Sequence, residues 1–165
     1  MTAKLIILRG NAASGKTTIA KALQNHFGRD TLVVSQDVVR RDMLKAHDKV
    51  GNLSIDLIYQ IAAFGKDNCA IVIVEGILNE GRYGGMLRNL IAFYDEKAHT
   101  YYFDLPFEET VKRHNARAKK NEFGEDALQA WWNPNDHLDV AGEMIVTEAQ
   151  SQQEIVSLII EHVNQ

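Results

Sequence analysis

Cysteine, proline and long apolar runs are all scarce in this chain. A single cysteine, Cys69, in 165 residues excludes an internal disulfide, so the core alone has to hold the fold. Its place beside the apolar run Ala70 to Val74 predicts a small buried residue without a redox role. Apolar stretches of five or six residues fall far short of the roughly 20 needed to cross a bilayer. The N-terminus enters a strand pattern at once, without the charged-then-apolar signature of a leader, and the expectation is a cytoplasmic protein with no membrane partner. Histidines 26, 47, 99, 114, 137 and 162 make no H-x-x-x-H pair, and none stands at zinc spacing from the cysteine, which disfavours a structural metal site. Basic residues number 18 against 22 acidic, for a net charge of -4. They are dispersed and form no basic tract, which disfavours an extended nucleic-acid contact. Repeats and low-complexity tracts are absent too, and a chain of this length reads as one domain able to bury about 68–70% of its unfolded surface.

What is present is concentrated near the N-terminus. Gly10-Asn11-Ala12-Ala13-Ser14-Gly15-Lys16-Thr17 fulfils G-x-x-x-x-G-K-[ST] in every position. With this composition chance would produce that pattern in about 3 of 1000 such sequences. Leu5-Ile6-Ile7-Leu8 before it has strand length, Ile19, Ala22, Leu23 and Phe27 after it recur at helical spacing, and Gly28 follows as a helix-ending glycine. Strand, glycine loop and helix N-terminus together answer a triphosphate: converging backbone N–H groups meet the phosphates, and the helix end adds roughly +0.5 of a charge. Gly10 to Thr18 is therefore the expected ATP-binding run. Gly10 and Gly15 permit close backbone approach, Lys16 holds the β- and γ-phosphates, and the Thr17 hydroxyl is placed for Mg²⁺. Thr18 reads equally as an ordinary helix residue.

Short β-rich runs (Leu5 to Leu8, Thr31 to Val34, Ala70 to Val74, Thr100 to Phe103 and a weaker Met144 to Thr147) alternate with helical patterns at Asp37 to Ala46, Ser54 to Asp67, Gly85 to Tyr94 and Pro106 to Ala118. That alternation implies an α/β fold with a parallel sheet covered by helices. Ser151-Gln152-Gln153-Glu154 is a capping box opening a last helix whose apolar face is Ile155, Leu158, Ile159 and Val163. In such sheets ligands bind beyond the carboxyl ends of the strands. The residues there are the phosphate loop, Ser35-Gln36-Asp37, Glu75-Gly76 and Asp104, so four strands are expected to bring polar groups to one cleft.

Among these, Asp37 is the candidate general base for an acceptor hydroxyl, with helix capping by Asp37 or Ser35 as the plain alternative. Glu75 is the candidate partner of Mg²⁺ or of the acceptor, against a strand-end acid with local hydrogen bonds only. Arg113 and Arg117, one turn apart, can converge on one anion from a lid spanning about residues 116–137; the alternative is an ion-pair ladder with Glu109. Arg40, Arg41, Arg82 and Arg88 are candidates for an anionic acceptor or solvated helix residues. Gly81 to Gly85 reads as a loop, and Trp131-Trp132 as core packing ahead of the turn Asn133-Pro134-Asn135-Asp136.

Gly10 to Thr18, Ser35-Gln36-Asp37 with Arg40, Val74-Glu75-Gly76 and the Arg113/Arg117 helix, in that order, resemble the small P-loop kinases related to zeta toxin and chloramphenicol phosphotransferase. The resemblance implies a three-layer sandwich with a five-stranded parallel sheet in the adenylate-kinase style. It also implies ATP with Mg²⁺, and transfer of the γ-phosphate to a hydroxyl of a small molecule such as a nucleoside, sugar, nucleotide-sugar or antibiotic. The matching Asp37 is then the base, and the matching arginines are the lid. Asn79 to Arg88 matches neither namesake, so the acceptor is not named by it.

A regulatory GTPase would need N-K-x-D, which is absent, and the D-x-x-G matches at Asp48 and Asp139 follow no predicted strand. Two alternatives stand beside the small-molecule kinase: a nucleic-acid 5′-hydroxyl kinase, and a nucleotide-binding module without turnover. The sequence does not settle the oligomeric state.

Overall fold

Leu5, Ile7 and Arg9 alternate with Ile6 and Leu8 along the first strand, and this period of two decides which side chains each face of the sheet receives. The computed structural model describes residues 2–95, 97–117 and 123–165. Among them are five parallel strands, β1 Lys4–Gly10, β2 Thr31–Ser35, β3 Ile71–Gly76, β4 Ala98–Phe103 and β5 Met144–Val146, in the spatial order β2-β3-β1-β4-β5. The helices are α1 Lys16–Phe27, α2 Leu53–Asn68, α3 Glu80–Phe93, α4 Phe107–Asn115, α5 Glu125–Trp131 and α6 Gln152–Asn164, with a π-helix at Val38–Met43. The expected α/β architecture, a five-stranded parallel sheet flanked by helices, is thus the one observed.

Leu5 and Ile7 join Val72, Val74, Ile58, Ala62, Leu87 and Leu90 in a core beneath α2 and α3. Ile6 and Leu8 join Ile73, Ile19, Leu23, Ile155 and Ile159 beneath α1 and α6. The β-branched run Ile71-Val72-Ile73-Val74 serves both layers, which is why β3 is continuously apolar and not alternating. Each of the buried Leu, Ile and Val side chains among these contributes roughly 1.5–3 kcal/mol relative to exposure. Register then fixes the site. Arg9 pairs with Gly76 and Gly10 with Phe103, while Ser35 pairs with Glu75. The loops after β1, β2 and β3 therefore leave the sheet side by side.

Gly81 to Gly85 is not a loop: α3 starts at Glu80, five residues before the predicted Gly85. Its first turn is capped from afar, by the Asp136 carboxylate accepting from the Glu80 N–H at 2.9 Å. Buried Tyr83, whose hydroxyl reaches Asp48 at 3.1 Å, anchors it further. A tertiary cap and a buried aromatic outweigh the low helix propensity of three glycines. The segment predicted as a helix from Asp37 to Ala46 instead winds as the wider π-helix, with the Leu44 N–H on the Val39 carbonyl at 3.1 Å. Within the expected lid the structure has the short helix α5, whose single buried residue, Leu128, is too little to show a period. Cys69 is half-buried at the end of α2 instead of fully enclosed. At α6 the predicted cap is present, with the Ser151 hydroxyl accepting from the Glu154 N–H at 3.1 Å.

Arg9 was not singled out by its sequence, yet it organises the edge of the sheet. Following the Leu5, Ile7 alternation it enters the α2/α3 side with a fully buried side chain. There it meets Asp136 at 2.8 Å and Glu143 at 3.6 Å, donates to the Leu78 carbonyl at 3.0 Å and lies 5.4 Å from the Tyr102 ring centre. Removing one partner of a buried ion pair strands the other charge, which costs about 3–5 kcal/mol. Arg9→Met is accordingly expected to lower the unfolding free energy by about 3 kcal/mol, and urea denaturation measures it. An unchanged midpoint would show that the cluster contributes nothing net.

Candidate active site

Gly10 and Gly15 shape the loop between β1 and α1. Gly10 has φ +148°, and a Cβ there would lie 2.7 Å from the Phe103 carbonyl oxygen; Gly15 takes φ +97° immediately before α1. Both conformations disfavour L side chains. No side chain caps α1, so its first-turn N–H groups face the loop concavity. Asn11 clasps the loop to the far side of the cleft: its amide donates to the Asn133 carbonyl and accepts from the Asn133 N–H, both at 2.9 Å.

Lys16 is buried within this loop, its Nζ donating to the Asn11 carbonyl at 2.7 Å and the Ser14 hydroxyl at 3.0 Å. Burial pushes its ammonium down to about 8, against the opposing pull of Glu75 and Asp37, while Arg117 and Arg9 add to the fall. Thr17 sits one residue on, its Oγ1 at 3.3 Å from each oxygen of Glu75. Glu75 ends β3 and is itself 3% exposed. A hydroxyl and a buried carboxylate at hydrogen-bond distance form an oxygen pair suited to Mg²⁺, a hard cation that takes one or two protein ligands and completes its shell with phosphate and water. Among the described residues no group of three His, Cys, Asp or Glu could hold a metal, so the pair fits an ion delivered with phosphates and not a protein-only cage.

Two cavities meet at this loop. The first, about 630 Å³, runs along Ser14 to Thr18, with Arg113 and Arg117 on one side and Glu148 to Gln152 on the other. The second, about 580 Å³, lies on the π-helix and α3 side, and Asp37, Arg40, Arg41, Glu75, Arg82 and Arg117 line it together with Lys16 and Thr17. Ala13, Lys16, Thr17 and Arg117 line both.

Most sequence-selected residues are thus brought together, with differences in detail. Asp37 makes no capping hydrogen bond; Ser35 takes the turn instead, accepting from the Val38 N–H at 3.4 Å. The Asp37 carboxylate, 57% exposed, stands 3.9 Å from Arg40 and 3.8 Å from Arg41. Arg113 makes both contacts weighed for it, pairing with Glu109 at 3.0 Å and donating to the Ser14 carbonyl of the loop at 3.1 Å. Arg117 lies beyond the end of α4 at Asn115, not on the same helix as Arg113. Of the proposed lid, residues 118–122 lie outside the described residues. Asp104 lines neither cavity; its N–H pairs with the Val146 carbonyl at 2.8 Å, tying β4 to β5. Arg88 pairs with Glu80 on the surface. Trp131 and Trp132 are not core: Trp131 is 41% exposed and both line the second cavity, Trp132 edge-on to Phe107 and Trp131 tilted against Phe123. Asp48, which the sequence offered only as the start of a D-x-x-G match, and Asn79, only as the start of the unmatched segment to Arg88, also stand on that wall.

A family model described as an AAA domain matches residues 5–133. No match is found among curated proteins. Solved structures similar in fold include the Mycobacterium tuberculosis APS kinase in complex with AMPPNP and APS, with TM-score 0.72, 16% identity and 99% of each chain covered. A gluconokinase from Sinorhizobium meliloti is similar at TM-score 0.69 and 13% identity, over 98% of this chain and 91% of that one. The tunicamycin resistance protein of Deinococcus radiodurans is similar at TM-score 0.64 and 16% identity, over 98% and 95%.

Proposed function

The chain belongs to the AAA domain family that its residues 5–133 match, and on that premise we propose that it is an ATP-dependent kinase. It would transfer the γ-phosphate to a hydroxyl of a small molecule. The observation that carries the reading is the junction of two cavities at Lys16 and Thr17, one on the α1 and α6 side and one containing Asp37. A kinase needs its donor and acceptor sites to meet at the transferring phosphate, and a cavity of about 580 Å³ suits a small molecule. The order of the motifs supports the finer proposal of a zeta toxin or chloramphenicol phosphotransferase type of enzyme.

In this mechanism the loop amides and the α1 N-terminus hold the triphosphate, and Lys16 screens the oxygens between donor and acceptor. Asp37 orients the acceptor hydroxyl and takes its proton as the new phosphate ester forms and ADP leaves. The neighbouring Arg40 and Arg41, at 3.9 and 3.8 Å, are placed to orient its carboxylate. Arg117, common to both cavities, stabilises the charge in transit. Thr17 and Glu75 would hold Mg²⁺ directly or through water, and the ion supplies charge neutralisation on the phosphate oxygens.

Incubation with γ-labelled Mg·ATP and pooled hydroxyl compounds tests the proposal. Label appearing in a small organic acceptor is expected; nucleotide binding with no transfer would leave a binding module. A label on oligonucleotide 5′ ends instead would make this the nucleic-acid kinase of the alternative reading.

The Lys16 ammonium gives a second test. With its pKa at about 8, anion binding in the loop needs a proton that is increasingly missing above that pH. Mg·ATP affinity is expected to fall as pH rises through about 8, the slope approaching a decade per unit, with proton uptake visible in calorimetry. Stability runs the other way: the unfolded lysine titrates near 10.5 and binds more protons than the folded one, so the fold gains stability between about 8 and 10.5. Lys16→Arg, which keeps its charge, is expected to flatten the affinity profile. A wild-type affinity that does not change with pH would contradict the account.

A further inference from the structure

The chain is acidic overall, with a net charge of -4, yet the wall of the second cavity made by the π-helix and α3 carries three arginines, Arg40, Arg41 and Arg82. Their engagements differ from those of the other arginines around the site. Arg9 is surrounded by carboxylates and carbonyls, Arg88 is paired with Glu80, and Arg113 is shared between Glu109 and the loop. Arg40 donates to the Ala46 carbonyl at 3.1 Å and is largely enclosed.

Arg41 and Arg82 are held loosely. Arg41 approaches Asp37 only to 3.8 Å, beyond a hydrogen bond, and is 45% exposed. Arg82 touches Asp48 through one nitrogen at 3.3 Å and is 38% exposed. A guanidinium carries five N–H donors in a planar fork that matches an oxyanion. Each of these two therefore keeps most of its donors for a ligand. Asp48 accepts the Tyr83 hydroxyl at 3.1 Å on its other oxygen, so the group that steadies Arg82 is itself tied to the buried start of α3.

From this we infer that the phosphate acceptor is itself an anion, bearing a phosphate, sulfate or carboxylate group that Arg41 and Arg82 recognise as specificity-determining residues. The inference rests on the kinase reading for the word acceptor, but the anion site stands on its own geometry. A neutral alcohol would leave the two guanidinium groups with Asp37 and Asp48 as their carboxylate neighbours and offer no oxyanion to their remaining donors. An anionic one binds them, and its charge draws it to a cavity lined by five basic side chains against three acidic ones.

The chain has two tryptophans, and both line this cavity, so intrinsic emission reports on it directly. Calorimetry first establishes that Mg·AMPPNP binds and fills the phosphate loop; an absence of heat there refutes the kinase reading and leaves the sulfate titration to be made on the bare protein. Sodium sulfate is then titrated at constant ionic strength. We expect a saturable change in emission, weakened about tenfold or more in Arg41→Gln and in Arg82→Gln. Both side chains are substantially exposed, so the variants should fold, and thermal melts check this. No saturable response, or one unaltered in both variants, overturns the anion site. In the label-transfer assay, an acceptor with no anionic group overturns it equally.

Discussion

Asp37→Asn is expected to reduce phosphoryl transfer by roughly 10²–10⁴ while the dissociation constant for Mg·ATP changes by less than about threefold. The separation follows from position. Asp37 stands in the second cavity, its carboxylate 57% exposed and beside Arg40 and Arg41, and the cavity along α1 and Glu148 to Gln152 does not include it. Asn keeps the volume and can still accept a hydrogen bond from the acceptor hydroxyl, but it cannot take the proton. Stability should hardly move, because the carboxylate caps no helix and its ion pairs are long and solvated. The loss should therefore fall on kcat, measured by steady-state transfer with a thermal melt as control. Near-normal turnover would remove Asp37 from the chemistry.

Arg117→Ala should give a loss of comparable size. Arg117 lines both cavities, and its charge adds to the fall in the lysine's proton affinity that burial chiefly causes. An arginine that touches the transferring group is worth roughly 10³–10⁵ in turnover, because its charge is already in place when negative charge redistributes on the phosphoryl oxygens. We expect kcat to fall by about 10³ with a smaller change in Mg·ATP affinity. Arg113→Ala should behave differently. That side chain holds the Ser14 carbonyl and pairs with Glu109, so its loss should loosen the loop and weaken nucleotide binding along with turnover. Single-turnover kinetics with each variant distinguishes the two. A lowered melting temperature with unchanged kcat would make both residues purely structural.

How far the sequence carries this description depends on whether a feature is local. The phosphate loop, the β-branched run of β3, the Gly28 cap of α1 and the Ser151 cap of α6 are written in consecutive residues and were legible there. So were the ends of β2 and β3, which delivered Asp37 and Glu75 to one cavity because parallel pairing aligns Ser35 with Glu75. The start of α3 was hidden because its cap, Asp136, lies 56 residues away. Arg9 was hidden because its partners, Asp136 and Glu143, come from the segment before β5, and nothing near Arg9 in sequence announces them. The tryptophans misled for a related reason: bulk and apolarity point to a core, whereas here a short helix with one buried residue leaves them on a cavity wall. Arg41 and Arg82 were visible as candidates, but what distinguishes them from Arg88, their place on the wall of the second cavity, exists only in three dimensions.

The most direct measurement is the crystal structure of the protein with Mg·AMPPNP. It should show the triphosphate in the loop from Gly10 to Thr17, its γ-phosphate held by Lys16, and the Asp37 carboxylate facing that phosphate from the adjoining cavity. Nucleotide bound elsewhere, or an Asp37 side chain turned out of the cavity toward solvent, would contradict the mechanism at its foundation.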